Sequence, residues 1–171
     1  APGADWAYKS GDSLILAAGL RDLVGADRYP DYPWTALFDR IGITSAVWER
    51  DASGTFVGSS YLYLTPRDLA RFGLLYLRDG CWAGARILPE GWVAFAATPS
   101  PALDGVGFYG AHWWLLPDRD DGLFFASGYR GQYTIVVPAL DLVVVRSGDS
   151  ETEQRDAVLG SLLRIIDCFT G

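Results

Sequence analysis

Four strand-like runs crowd into the last third of the chain: "GFYGAHWWLL", "LFFAS", "QYTIVVP" and "DLVVVRS" occupy residues 107–116, 123–127, 132–138 and 141–147. Parallel neighbours need a crossover of roughly a dozen residues or more, so runs this close in sequence favour neighbouring antiparallel strands. A sheet of that kind has an apolar face to cover. The chain then continues into a helical pattern with Val158, Leu159, Leu162, Leu163 and Ile166 on one side, preceded by Ser150-x-x-Glu153, which reads as a capping box. Before about residue 105 the periodicity is helical and broken by loops. The predicted fold is therefore α+β, with residues 1–104 forming part of a helical subdomain with loops and residues 105–171 the antiparallel strands plus a C-terminal helix.

Two helices stand out in the first part. From Asp12 the residues Leu14, Ile15, Leu16, Leu20, Leu23 and Val24 fit one helix, started by Ser10 or Asp12 as cap and closed by Gly25 in a left-handed conformation. Thr65-Pro66-Arg67-Asp68 starts another, with a capping hydroxyl, proline at the first helical position and an acid in the first turn; Leu69, Phe72, Leu75 and Tyr76 follow, and Gly80 ends it. "TALFDRIGI" reads as a short helix, and "ILPEGWVAFAA" as another beginning at Pro89. No repeats are found.

Composition removes several classes of function. Half the residues are hydrophobic, which argues against disorder, and the net charge of −7 makes a phosphate-backbone partner a poor match, so nucleic acid is set aside. No apolar run reaches the roughly 20 residues of a membrane helix. Two cysteines, Cys81 and Cys168, make no framework; buried free thiols are expected, a single bridge being the alternative. With one histidine besides, no metal or organic cofactor is implied. The sequence holds no methionine, so the expectation is a longer parent from which something upstream of Ala1 has been removed.

Two short stretches carry candidate chemistry. In "DWAYKSGDSL" the only lysine, Lys9, stands between Tyr8 and Ser10. If the backbone there is extended, Tyr8 and Ser10 share a side and Lys9 points away. A phenol with its ordinary pKa of about 10 is a poor base, so a catalytic Tyr8 needs a nearby cation that Lys9 is badly aimed to supply. The plainer account is a tyrosine at the core edge, a solvated lysine and a serine cap. In "FFASGYRGQYTIVVP" a predicted edge strand passes through Ala126-Ser127-Gly128 into Tyr129-Arg130. An exposed strand edge can offer a main-chain N–H to a developing oxyanion, and Ser127 and Arg130 are placed to hold a carbonyl or carboxylate. Here the plainer account is a glycine-rich hairpin with a solvated arginine. His112, among aromatic residues, reads as packed and hydrogen-bonded, and Asp118, Asp120 and Asp121 with Arg119 as a solvated turn.

Taken together, "WAYKSGDSLILAAGLRDLVG", "GSSYLYLTPRDLARFGLLYLRDGCWAGARILPEGWV" and "FFASGYRGQYTIVVPALDLVVVRSGD" resemble, in this order, the C-terminal portion of the serine β-lactamase and penicillin-recognising superfamily. The likeness is to the class C-like branch that includes esterases and 6-aminohexanoate-dimer hydrolases. It implies a serine hydrolase acting on carboxylic esters or small amides through an acyl-enzyme. The nucleophile in that family lies in Ser-x-x-Lys; here the only lysine is Lys9 and the residue three before it is Trp6, so the motif is expected on a missing N-terminal segment and the 171 residues alone are expected to be inactive. A noncatalytic ligand-binding or regulatory relative is the alternative.

The resemblance also distributes roles. Tyr8 matches the general base or proton relay, and Ser10 takes the place of an asparagine. Ser127 and Gly128 match the last two members of the Lys/His-Thr/Ser-Gly strand triad, with Ala126 where the cation often lies. The Tyr129 N–H becomes the second oxyanion donor. The missing asparagine amide and missing strand cation move weight from β-lactams towards esters or linear amides. Relatives of this kind often work in the periplasm or outside the cell, which is the localisation the resemblance implies.

Overall fold

The computed structural model describes residues 5–103 and 108–169. Residues 104–107, with Gly107 of the first predicted strand and the predicted boundary at 104/105, lie outside them. The chain divides into two compact units, one from Ala7 to Arg71, the other joining Trp6 to the chain from Phe72 onward.

In the Ala7–Arg71 unit, helix α1 (Ser10–Val24) is followed by 3-10 and π turns between Tyr29 and Ile41 and by a two-stranded ribbon, β1 (Val47–Trp48) with β2 (Leu62–Tyr63). Val24, Tyr29 and Phe56 form its buried apolar cluster, with Trp34 and Trp48 packed against them. Tyr29 ties the pieces together: its hydroxyl donates to the Ala17 carbonyl at 3.1 Å and accepts from the Phe56 N–H at 3.2 Å. Three expectations for α1 are corrected. Lys9, not Ser10 or Asp12, occupies the cap and offers no side-chain bond, because Ser10 is already the first helical residue. Gly25 ends the helix with positive φ but an extended ψ of 141°, donating to the Arg21 carbonyl at 2.9 Å. Of the residues on the predicted apolar face only Val24 is buried; Ile15, Leu16 and Leu23 are 72%, 63% and 84% exposed.

Helix α2 (Pro66–Leu77) begins as its capping signals require, the Thr65 hydroxyl accepting from the Asp68 N–H at 3.3 Å. It ends at Gly80, whose positive φ lets its N–H reach the Leu75 carbonyl at 2.8 Å. A short ribbon follows, β3 (Cys81–Trp82) with β4 (Ala85–Arg86), and then α3 (Trp92–Ala96). The helix predicted from Pro89 starts later because Pro89-Glu90-Gly91 is a turn in which Gly91 has φ +77°. Neither cysteine is bridged: Cys81 is half-buried in β3, and Cys168, beyond the last helix, is exposed rather than buried as expected.

The sheet has the order β5-β6-β7-β8, all antiparallel, from β5 (Trp114–Leu115), β6 (Phe124–Gly128), β7 (Gln132–Val137) and β8 (Leu142–Arg146). The two-residue period sorts its faces. Phe125, Tyr133, Ile135 and Val137 meet Leu162 and Ile166 of α4 (Arg155–Asp167), while Phe124 and Val136 join Tyr76, Trp113 and Leu115 on the other face. Each fully buried Ile or Val of β7 contributes about 1.5–3 kcal/mol by leaving water. The Val158, Leu159, Leu162, Leu163, Ile166 stripe does cover the sheet as its spacing predicts. The capping box is Glu151 with Gln154, one residue beyond the predicted Ser150 and Glu153, and it caps the 3-10 turn Thr152–Gln154 that leads into α4; Ser150 is buried and accepts from Arg146.

The first predicted strand contracts to two residues. Gly110 to Trp113 close a turn, the Gly110 N–H donating to the Trp113 carbonyl at 2.8 Å, and His112 takes φ +65° there. His112 is thus exposed on a turn, not packed in a strand. A Cβ on Gly110 would lie 2.1 Å from the Ala96 carbonyl oxygen, whereas one on Gly19, in α1, meets nothing within 4 Å. Gly110→Ala should therefore lower the melting temperature of the chain by an amount equivalent to roughly 1–3 kcal/mol, and Gly19→Ala should leave it level or raise it. Thermal melts followed by circular dichroism compare the two; equal melts would show that the Gly110 turn yields freely.

The aspartate turn is also tighter than its composition suggests. Asp121 is buried, accepts from Arg119 at 2.5 Å and from the Leu123 N–H at 3.2 Å, and Arg119 continues to Asp167 at 3.0 Å. The Arg119 hydrogen bond, opposed by burial, holds the Asp121 carboxyl below the ordinary carboxylate range.

Candidate active site

The sequence-predicted residues fall into two groups, one in each unit. Tyr8, Lys9 and Ser10 lead into α1. Lys9 is extended, with φ −137° and ψ 132°, and Ser10 is the first helical residue. All three side chains are exposed.

The second group sits at the end of β6. β5 pairs with β6 only at Phe124 and Phe125, so among the described residues Ala126, Ser127 and Gly128 have no partner strand on that side. On the other side they are held in register by Thr134, Tyr133 and Gln132 of β7. This is half of a ladder, with alternate backbone groups directed outward. Beyond Gly128 the chain turns through Tyr129, Arg130 and Gly131, the last two with φ +58° and +82°. The Tyr129 N–H has no acceptor among the described residues. It is the kind of fixed main-chain donor that can stabilise an oxyanion.

That turn is strapped down. The Arg130 guanidinium is engaged by Asp149 and, at 3.1 Å, by Glu151. Hydrogen bonding to Asp149, then to Tyr129, and the two carboxylate charges hold its pKa above the ordinary arginine value. Arg146 donates to the carbonyls of Arg130 at 3.1 Å and Gly131 at 2.6 Å, and the Gln132 side chain bonds the Gly148 backbone through both its oxygen and its nitrogen. A backbone held at so many points offers its N–H groups without reorganising.

Alternation along β6 sends the Ser127 side chain to the face covered by α4, since its register partner Tyr133 packs there. Arg155, the first residue of α4, donates to the Ser127 hydroxyl at 2.8 Å, and its own carbonyl accepts from the Tyr133 hydroxyl at 3.3 Å. Reasoning from sequence missed Arg155, Arg146 and the two acids on Arg130. The signal available for Arg155 was the combination of the period-2 face of Ser127 with a helix that starts opposite it. Elsewhere, a surface depression lined by Leu74, Arg78, Cys81 and Trp82 holds none of the predicted site residues, and Arg78 is already paired with Asp141 at 2.6 Å.

The chain has relatives among known proteins. A family model described as Beta-lactamase matches residues 1–164. The chain is 28% identical over 156 residues to a 6-aminohexanoate-dimer hydrolase of Paenarthrobacter ureafaciens, covering 83% of this chain and 38% of that protein. Among solved structures it is similar to a candidate 6-aminohexanoate-dimer hydrolase of Bacillus anthracis, with TM-score 0.82, 25% identity, and coverage of 96% of this chain and 44% of that one. A beta-lactamase of Mycobacterium bovis shares the fold at TM-score 0.67 and 19% identity, with coverage of 94% and 65%. The chain thus spans less than half the length of the two hydrolases it matches.

Proposed function

The chain belongs to the beta-lactamase family, and on that premise we propose that it is the C-terminal segment of a serine hydrolase that cleaves carboxylic esters or small amides through an acyl-enzyme. The observation that carries this reading is the strapped, half-open end of β6, where Ser127, Gly128 and the unclaimed Tyr129 N–H stand at an edge with no partner strand among the described residues. The nucleophile comes from a Ser-x-x-Lys on a segment not in these 171 residues. Exposure of Ile15, Leu16 and Leu23 on α1 supports a larger protein, because contiguous apolar helix faces are ordinarily covered.

In this mechanism Tyr8, with the lysine of that segment beside it, takes the proton of the serine hydroxyl as its oxygen bonds to the carbonyl carbon. The Tyr129 N–H receives the resulting oxyanion. Collapse breaks the bond to the alcohol or amine, which leaves with the proton returned by Tyr8. Water then repeats the sequence and releases the acid. Ser10 and Ser127 are the substrate-side hydroxyls, Gly128 lets the acyl group approach the strand, and Arg130 fixes the turn.

The test is hydrolysis of p-nitrophenyl butyrate. The intact parent should turn it over with a burst of p-nitrophenol, and the 171-residue chain alone should not. Robust turnover by the 171 residues would sink the mechanism. Binding of a small acyl compound by an intact parent that never turns it over would favour a noncatalytic relative.

A further inference from the structure

We propose that the Tyr129 ring is a platform for the apolar group beside the scissile carbonyl, so that the site favours esters and amides with a bulky apolar or aromatic substituent next to the reacting carbon. This rests on the hydrolase reading and deepens it. The main-chain N–H of Tyr129 receives the oxyanion in that reading, and its side chain gains a separate role in choosing the substrate.

Tyr29, Tyr76 and Tyr133 are buried in apolar clusters, whereas Tyr129 is 81% exposed. An exposed side chain on a turn ordinarily moves between rotamers within nanoseconds. This one is restrained. The Arg130 guanidinium carbon lies over the ring, 5.9 Å from its centroid, and the same guanidinium is gripped by Asp149 and Glu151. The backbone is held as well, the Gln132 side-chain amide donating to the Tyr129 carbonyl at 3.3 Å while it also bonds the Gly148 backbone. A ring ordered before the ligand arrives loses less freedom when the ligand packs on it.

Chain connectivity supplies the contact. The Tyr129 N–H has no acceptor among the described residues, and an oxygen that takes it sits about 2.9 Å from that nitrogen. The Cβ that carries the ring is two bonds from the same nitrogen. A carbonyl seated on this donor therefore brings both of its substituents, acyl chain and leaving group, close to the base of the ring. Gly128, on the other side of the N–H, has no side chain to occupy that space. The chemistry there is apolar rather than ionic, because the Arg130 charge is neutralised by its two acids and the open part of Tyr129 is aromatic surface. Such a ring offers a large, rigid contact area with only two side-chain torsions to order.

The experiment reads two ratios of kcat/KM on the intact enzyme: p-nitrophenyl hexanoate over p-nitrophenyl acetate, which varies the acyl side, and benzyl acetate over ethyl acetate, which varies the leaving group. Tyr129→Ala keeps the main-chain N–H and removes the ring, and it should lower at least one ratio by roughly 5- to 20-fold, the worth of one apolar contact with an aromatic side chain. Tyr129→Phe should hold that ratio within about twofold of wild type. A fall in the first ratio assigns the platform to the acyl group, and a fall in the second assigns it to the leaving group. Both ratios unchanged in Tyr129→Ala, or the same loss on all four esters, overturns the proposal. Thermal melts check that each variant folds, as the exposure of Tyr129 predicts. If the intact enzyme hydrolyses none of the four, the hydrolase reading falls and binding alone decides. Neutral N-benzylhexanamide is then titrated into the 171-residue chain and its Tyr129→Ala variant by NMR. Shifts around residue 129 that need the ring uphold the platform; no shifts, or shifts that Tyr129→Ala leaves in place, overturn it.

Discussion

Tyr8→Phe in the intact enzyme is expected to lower kcat for p-nitrophenyl butyrate by roughly 10²- to 10⁴-fold, the range a positioned general base supplies, with little change in KM. The substitution deletes one oxygen and keeps the ring. Tyr8 is exposed and precedes α1, so the variant should fold and melt as wild type does. Lys9→Ala serves as the neighbouring control. Lys9 is extended and exposed, and removal of its side chain should change kcat by no more than about twofold. Single-turnover kinetics sharpen the result, because loss of the base should slow the p-nitrophenol burst itself. An undiminished burst in Tyr8→Phe removes Tyr8 from the mechanism.

Much of this arrangement is legible in the sequence, and the reasons differ by element. The sheet order follows from short connections alone, since neighbours so close can only pair antiparallel, and β6, β7 and β8 lie where their runs indicate. The α2 start follows from local chemistry that needs no tertiary partner. The failures are tertiary. The apolar run of α1 predicts a buried face, but none of the described residues covers Ile15, Leu16 or Leu23. "GFYGAHWWLL" has strand composition, yet the contact of Gly110 with the Ala96 backbone imposes a turn that no window of residues around it encodes. At the site, Arg130 was visible as a charge by a glycine, whereas its neutralisation by Asp149 and Glu151 depends on where β8 ends. Arg155 lies 28 residues from Ser127, beyond the reach of any short motif.

Asp68→Ala should be the most destabilising single change in the Ala7–Arg71 unit, at about 2–4 kcal/mol, because it removes a buried charge around which other groups are arranged. Asp68 is 2% exposed and accepts from the Thr44 N–H at 3.1 Å, the Ser45 N–H at 3.0 Å, the Ser45 hydroxyl at 2.6 Å and Arg71 at 2.5 Å. Without it, two main-chain donors between Ile43 and Val47 lose their acceptor and α2 loses its anchor to that loop. Burial pushes the carboxyl pKa up, but the Ser45 side chain, the Ser45 and Thr44 amides and Arg71 together outweigh it, and the net direction is down. A depressed folded pKa contributes stability that is fully present above the unfolded value of about 3.9 and is lost as pH falls through the folded value. The gap between wild type and Asp68→Ala in urea unfolding should therefore be widest near neutral pH and narrow once the pH drops below about 4. Asp68→Asn separates the causes: its amide oxygen can still accept from Thr44 and Ser45, but its charge is gone, so it should recover part of the stability at pH 7 and lose most of the acid dependence. A gap that stays constant from pH 7 to pH 3 would mean that packing, not the carboxylate, holds this loop to the helix.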